Sequence, residues 1–261
     1  MAKQAACKSF TGRLFWNNGL KIGSISGTQT QASQENEMQW NLSKVLSFNA
    51  GYVDTASFLA LHGLFAAHVT GNFVTLGAAL ISDNHAGAWT KLAALPMFCV
   101  VVLATRLLHT RLERASRSSY RVLLWVMLVL FAAAAALAWL NMPFAPTDTW
   151  VSFAVGMLLV AAMAIQNALH RIHWLKEPPT TVMTGSTTQL MLDVADWMGS
   201  NKGDTKEVKA RFYRTLPNML GFALGCAVAA LVFHFLPRLA LVLPFALMLW
   251  AYAWKDRYAQ A

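Results

Sequence analysis

The chain has 261 residues, of which 56% are hydrophobic and only 13% are charged. Soluble globular proteins carry about 25% charged residues, so this composition argues against a soluble fold, and the high apolar fraction with three cysteines excludes a disordered chain or a disulfide scaffold. The net charge of +9 does not indicate a nucleic-acid partner, because Lys and Arg also accumulate on the cytoplasmic side of membrane proteins.

Residues 1–42 are rich in Gln, Ser, Asn and Gly and contain no apolar segment of the kind found in a secretory signal peptide. We therefore expect a disordered cytoplasmic tail. Its four basic residues could contact anionic lipid. The alternative is a solvated tail that only helps to orient the first membrane span.

Six apolar stretches follow that are long enough, or nearly long enough, to cross a bilayer as helices of about 20 residues. The clearest is the third, which has no charged residue after Arg121. The six predicted spans are 44–64, 91–109, 121–141, 150–170, 216–236 and 238–255.

Two further segments, 65–82 and 180–198, are shorter, richer in Thr and Gly, and polar in the middle. If neither spans, and if the N-terminus is cytoplasmic, then every Lys and Arg except Lys91 and Arg238 lies on the cytoplasmic side. The sequence thus predicts an all-α membrane protein with six transmembrane helices and both termini cytoplasmic. The two segments would re-enter the membrane or form broken helices buried in protein.

The two ambiguous segments also resemble each other, because VTGNFVTL at 69–76 aligns with MTGSTTQL at 183–190. Each follows a predicted span and precedes a Leu-Pro pair, at 95–96 and 216–217, which we expect at a helix start. Three spans in each half would place the halves in opposite orientations. This order predicts a 3+3 inverted repeat, with repeat 1 at 43–149 and repeat 2 at 150–261.

The segment GYVDTASFLALHGLFAAHVTGNFVTLG resembles the first signature of the YoaK-like bacterial membrane proteins, a family of unknown function. IQNALHRIH followed by TTVMTGSTTQL resembles the second signature, although Ser186 stands where that family often has Asn. The resemblance covers about residues 44–255. It implies a multi-pass protein of the bacterial inner membrane and supplies no reaction.

Asp54 lies about ten residues into the first predicted span. A carboxylate inside a membrane costs about 2.5 kcal/mol or more, so it needs a partner, a proton or water. Asp54 could therefore carry a proton or bind a cation. The alternative is that it only forms hydrogen bonds with a helix end or neighbouring backbone.

The Thr-Gly cores supply uncharged donors and acceptors beside glycines that allow close approach and positive φ. Broken helices at such places can direct their dipoles at a solute, whereas small residues can also serve helix packing alone. The predicted substrate-binding residues of the two cores are Thr70, Gly71, Asn72, Thr184, Gly185 and Ser186.

Gln166 and Asn167 occupy the position in the second half that corresponds to the Asp54 region. Asn167 precedes the Thr of its Thr-Gly core by nearly the same number of residues as Asp54 does. An amide opposite an acid could clamp a substrate, or these amides could serve only interhelical hydrogen bonds. Asp193 could cap a helix or bind a cation.

Neither a phosphate-binding loop nor a metal-ligand or catalytic motif is present, so we expect no enzyme activity, cofactor or metal. The favoured function is a secondary transporter of a small polar or anionic solute, bound between the two Thr-Gly segments with proton coupling at Asp54. The alternatives are a channel and a membrane sensor or interaction subunit. The expected partners are the bilayer and the solute, and dimerisation stays open.

Overall fold

The structure is a computed structural model that describes residues 23–79, 81, 86–145, 149–174, 177–181, 183–199 and 205–258. Contacts divide the chain into two units, residues 1–36 and residues 37–261. The sites discussed below, and all helices except residues 23–36 of the first one, belong to the second unit.

The described residues form helices and connecting loops and contain no strand, which confirms the predicted all-α class. The helices are α1 (Gly23–Ala60), α2 (Gly71–Ala79), α3 (Ala88–Arg114), α4 (Ser119–Asn141), α5 (Trp150–His173), α6 (Met183–Gly199), α7 (Thr205–Phe235) and α8 (Leu243–Tyr258), with a short 3₁₀ helix at Pro237–Leu239.

Each of the six predicted spans overlaps one helix. The spans 91–109, 121–141 and 150–170 lie within α3, α4 and α5. The spans 44–64 and 216–236 run past the ends of α1 and α7, and 238–255 begins before α8. The two segments predicted not to span hold α2, which has only 9 residues, and all but the last residue of α6, which has 17. Among the described residues, four helices are long and apolar enough to cross a membrane: α3, α4, α5 and α7 from Lys206 onward.

The first and last predicted spans do not meet that criterion, for different reasons. In α8 the apolar part covers only Leu243–Ala253, about 16 Å of helix at 1.5 Å per residue. In α1, polar side chains lower the hydropathy, but the structure buries them against protein instead of lipid: Ser43, Ser47, Asn49, Asp54 and Ser57. Six spans therefore remain a prediction.

The helix α1 begins at Gly23, inside the segment 1–42 for which the sequence predicts a disordered tail. Residues 23–42 are helical, so that expectation is not met there. This segment has no proline to interrupt a helix. The rest of the predicted tail, residues 1–22, lies outside the described residues.

The central helix is α5, which packs against both α3 and α4. In its most apolar window 72% of residues are buried, whereas the figure is 17% for α3 and for α7. Large apolar side chains on those two outer helices, such as Val100 and Leu231, remain exposed. This pattern is what a helix bundle surrounded by lipid requires.

Glycines bring α1 and α7 into backbone contact. A Cβ on Gly51 of α1 would lie 2.1 Å from the carbonyl oxygen of Phe222, and a Cβ on Gly225 of α7 would lie 2.1 Å from that of Phe48. Gly221 also faces the backbone of α1. Gly221 and Gly225 form a GxxxG pattern, which allows helix backbones to approach closely in a membrane.

The two Leu-Pro pairs do not mark helix starts, contrary to the prediction. Pro96 lies inside α3 and Pro217 lies inside α7, because both helices begin earlier along the chain. Membrane helices tolerate internal proline where neighbouring groups satisfy the freed carbonyls. The prolines nevertheless occupy matching places, each in the long helix that follows a Thr-Gly helix.

Candidate functional site

Asp54 lies six residues before the end of α1 and anchors the loop that follows this helix. Its side chain is buried, with 5% exposed. Oδ1 accepts hydrogen bonds from the backbone N–H groups of Ala67, at 2.6 Å, and His68, at 3.3 Å. Oδ2 pairs with Nδ1 of His68. The carboxylate thus has the partners that burial demands.

His68 is the partly exposed member of this pair. Its side chain is 36% exposed, and its ring meets Phe222 of α7 edge-on at a centroid distance of 5.4 Å. The hydrogen bond to Asp54 raises the pKa of His68, while burial opposes this rise. The first loop therefore carries an imidazole–carboxylate pair, whose imidazole contacts a helix of the second half.

Asn72 closes the same loop from the start of α2. Its Oδ1 accepts from the backbone N–H of Phe65 at 2.8 Å, and its Nδ2 donates to the Phe65 carbonyl at 2.8 Å. A Cβ on Gly71 would lie 3.0 Å from the Phe65 ring. Of the predicted binding residues here, only Thr70 is exposed, and Asn72 is engaged with backbone.

Asn167 lies six residues before the end of α5, as Asp54 does in α1. Its Oδ1 accepts a hydrogen bond from Oγ1 of Thr181 in the following loop, and its Nδ2 donates to the Met163 carbonyl at 3.1 Å. Thr181 follows Asn167 by 14 residues, the separation that also joins Asp54 to His68. The two halves therefore use the same helix-to-loop connection with different chemistry.

Gln166 connects the second loop to α1. Its Nε2 donates to the Leu46 carbonyl at 3.0 Å and to Oγ1 of Thr180 at 3.3 Å. Its Oε1 has no hydrogen-bond partner among the described residues. Because a buried unpaired polar group costs about 1–3 kcal/mol, this oxygen is a candidate to accept a bond from a solute.

Other buried polar groups lie close to this connection. Nδ2 of Asn218 in α7 donates to Oγ of Ser43 in α1 at 2.8 Å. Within the described part of the chain, Oδ1 of Asn218, Oγ of Ser47 and the whole amide of Asn49 lack partners. Sequence reasoning missed this cluster, although Ser and Asn in an otherwise apolar helix were a signal for it.

The second Thr-Gly segment lines a cavity of about 310 Å³. Gly185, Ser186 and Gln189 contribute one wall from α6, and Arg211 and Thr215 contribute another from α7. A Cβ on Gly185 would contact nothing within 4 Å. Neither Gly71 nor Gly185 has a positive φ, so the predicted use of left-handed backbone at these glycines is wrong.

Asp193 lies beyond this cavity in α6 and is 1% exposed. Arg211 donates from Nε to both carboxylate oxygens, at 2.9 and 3.1 Å, and Gln189 donates to Oδ1 at 2.9 Å. Burial favours the neutral acid, but these hydrogen bonds outweigh it and lower the pKa of Asp193. Asp193 is thus an ion-pair partner of α7 and caps no helix.

The structure joins some of the predicted site residues and separates others. Asp54 and Asn72 belong to one loop, and Gln166 and Asn167 hold the other. Among the described residues, no hydrogen bond or ring contact connects Thr70 or Gly71 with Thr184 or Gly185. A shared site between the two Thr-Gly segments therefore stays a prediction.

The comparisons with known proteins agree with the membrane character of the fold. A family model described as "Protein of unknown function (DUF1275)" matches residues 42–254, so the chain belongs to this family. The UPF0700 transmembrane protein YoaK of Bacillus subtilis (strain 168) is 26% identical over 215 residues, which cover 80% of this chain and 92% of that protein. The YoaK-like resemblance is confirmed. No solved structure matches the chain.

Proposed function

We propose that this member of the DUF1275 family is a secondary transporter that moves a small polar or anionic solute without altering it chemically. The observation that carries the proposal is the repeated helix-to-loop connection, Asp54–His68 in the first half and Asn167–Thr181 in the second. Repeats of opposite orientation, with interrupted helices next to the site, are typical of secondary transporters.

The contacts of the loops support opposite orientations of the halves. His62, just after α1, bonds through Nε2 to the Ala145 carbonyl in the α4–α5 connection, which the positive-inside rule places outside. Pro178, in the loop after α5, accepts a bond from Asn218 at the cytoplasmic side of the predicted topology. The first loop would thus enter the membrane from outside and the second from inside.

The pair of Asp54 and His68 suits proton coupling. A buried carboxylate that shares a hydrogen bond with a partly exposed imidazole can exchange a proton with water through the ring. His68 also touches Phe222 of α7. A change in the protonation of this pair would therefore alter the contact between the two halves.

The second half offers the polar surface for the solute. Arg211, which is paired with Asp193, and Glu177 both line the cavity beside Gly185 and Ser186. Its volume of about 310 Å³ lies at the small end of ligand sites. The amide oxygens of Gln166 in α5 and Asn218 in α7, both in this half, have no hydrogen-bond partner among the described residues. Such groups favour a small solute that both donates and accepts hydrogen bonds.

The test is a thermal-stability screen of the purified protein against small anions, carboxylates, nucleobases and sugars at pH values of about 6 and about 8. A ligand at 100 times its Kd adds about 2.7 kcal/mol of stability. We expect a pH-dependent hit that Asp54→Asn abolishes. Asp196→Asn, the same change at an exposed carboxylate of α6, should leave the hit unchanged.

Flux of the hit into proteoliposomes then separates the candidate functions. Saturable uptake driven by a pH gradient supports the transporter. Flux that rises without saturation favours a channel, and binding without flux favours a sensor or interaction subunit. A hit that is equal at both pH values and indifferent to Asp54→Asn removes Asp54 from the mechanism.

A further inference from the structure

A groove of about 720 Å³ lies between α3 and α5, away from the loop connections. Its walls are mainly apolar, whereas two guanidinium groups lie at one end. The wall residues are Phe98, Val102, Ala168 and Ile172, and the charged residues are Arg106 and Arg171.

Both arginines lie near the cytoplasmic side of the predicted membrane. Arg171 is in the last turn of α5, and both α3 and α5 run toward the cytoplasmic side in the topology that the positive-inside rule favours. Both side chains are exposed, and among the described residues neither forms an ion pair with a carboxylate. Two positive charges at this end therefore remain available to an anion.

The shape of the groove indicates what kind of anion. A free phosphate or carboxylate would occupy only a fraction of about 720 Å³ and would leave the apolar walls uncovered. An amphiphile would cover both parts, since guanidinium groups bind phosphate through paired hydrogen bonds and apolar walls bind hydrocarbon. The remaining polar group, the Asn167 amide, is already bonded to Thr181 and Met163.

We infer that this groove binds an anionic phospholipid of the cytoplasmic leaflet. The phosphate would lie between Arg106 and Arg171, and an acyl chain would lie along Phe98, Val102 and Ile172. Basic pockets between transmembrane helices on the cytoplasmic side are suited to such head groups. This inference does not depend on the proposed transport function.

The test is native mass spectrometry of the full chain, titrated with dioleoylphosphatidylglycerol or dioleoylphosphatidylcholine. We expect the wild-type protein to bind the anionic lipid at least ten-fold more tightly. Arg106→Gln and Arg171→Gln should each weaken its binding by about five-fold, and the double variant by about thirty-fold. The double variant should bind both lipids equally. The single variants keep the test usable if the double variant does not fold.

The matched control is Arg111→Gln with Arg114→Gln, which removes two exposed charges from the last turn of α3 outside the groove. This control should keep the lipid preference. The inference is overturned if the control loses as much affinity as the groove variant, or if the groove variant keeps its preference. It is also overturned if inorganic phosphate displaces the lipid at equal concentration, because the site would then be one for a soluble anion.

Discussion

The two helix-to-loop connections differ in chemistry although they share a geometry. In the first half a buried carboxylate, Asp54, holds His68 and two backbone N–H groups. In the second half a neutral amide, Asn167, accepts one bond from Thr181. The same fold element is therefore ionisable in one half and insensitive to pH in the other. Of these two connections, only the one in the first half should respond to protons.

The largest difference between the halves should appear on truncation of the two anchors. Asp54→Ala leaves buried N–H groups of the loop without a partner and should cost about 3–5 kcal/mol of unfolding free energy. Asn167→Ala removes two neutral hydrogen bonds, one accepted from Thr181 and one donated to the Met163 carbonyl, and should cost about 1–2 kcal/mol. Denaturant unfolding in detergent measures both, and equal losses would contradict the asymmetry.

The glycines test how closely the halves pack. Gly225→Ala would drive a Cβ into the Phe48 carbonyl of α1, and overpacking of this kind costs about 1–3 kcal/mol. Gly156→Ala is the comparison, because its Cβ would meet side-chain atoms of Leu64 and Thr90, each at 2.8 Å, and no backbone atom. Thermal unfolding should rank Gly225→Ala as the more damaging change. The reverse order would mean that α1 and α7 can separate freely.

The pH dependence of stability sharpens the comparison. Because the pKa of His68 is raised in the folded protein, its bond to Asp54 stabilises the fold fully below the unfolded-state pKa of about 6.5. That contribution to stability is lost as the pH rises through the raised pKa of His68 in the folded protein. The stability gap between wild type and His68→Gln should therefore shrink toward alkaline pH.

Thr181→Val provides the matched variant in the second half, where neither partner titrates. Its stability gap to wild type should stay constant over the same pH range. The expected effects of both substitutions are smaller than that of Asp54→Ala. A gap for Thr181→Val that follows pH as closely as that for His68→Gln would place the titrating group elsewhere.

The smallest effect concerns the two Thr-Gly cores. Gly185→Ala adds a methyl group in open space within α6 and should stabilise the protein by about 0.5–1 kcal/mol, because alanine favours helix over glycine. Gly71→Ala should give no such gain, because its Cβ would press on the Phe65 ring. Thermal unfolding of the two variants side by side measures this. Equal gains would show that the first core is as open as the second.

The helices could be predicted from the sequence because each apolar run is long and the Thr-Gly segments interrupt the pattern. The short α2 and α6 lie where the polar, Gly-containing segments predicted them. The start of α1 at Gly23 could not be predicted, since polar residues without proline are compatible with either helix or coil. The hydropathy of α1 is also too low to identify it as a span, because its polar side chains face protein.

The partners of the polar residues were harder to predict than the residues themselves. Asp54 stood out as a buried charge, but its bond to His68 depends on how the loop folds back over 14 residues. The positive-inside rule predicts only that Arg211 lies on the cytoplasmic side, and it does not predict the bond from Arg211 in α7 to Asp193 in α6. Contacts between helices depend on how the helices pack, and a single sequence does not show that packing.

The most direct test of the account is the orientation of the two halves. Single cysteines would be placed at Ser118 and Lys206, both predicted to be cytoplasmic, and at Ala145 and Arg238, both predicted to be outside. The native Cys7, Cys99 and Cys226 would first be replaced. The sites would then be labelled in intact cells with a maleimide that does not cross membranes.

The account predicts labelling of Ala145→Cys and Arg238→Cys in intact cells, and labelling of Ser118→Cys and Lys206→Cys only after permeabilisation. That result leaves an odd number of spans between residues 145 and 206, so the second Thr-Gly segment does not span the membrane and its loop lies on the cytoplasmic side, as the inverted repeat requires. Labelling of Ser118→Cys and Lys206→Cys from opposite sides would contradict it. A Thr-Gly segment would then span the membrane, and the inverted repeat would fail.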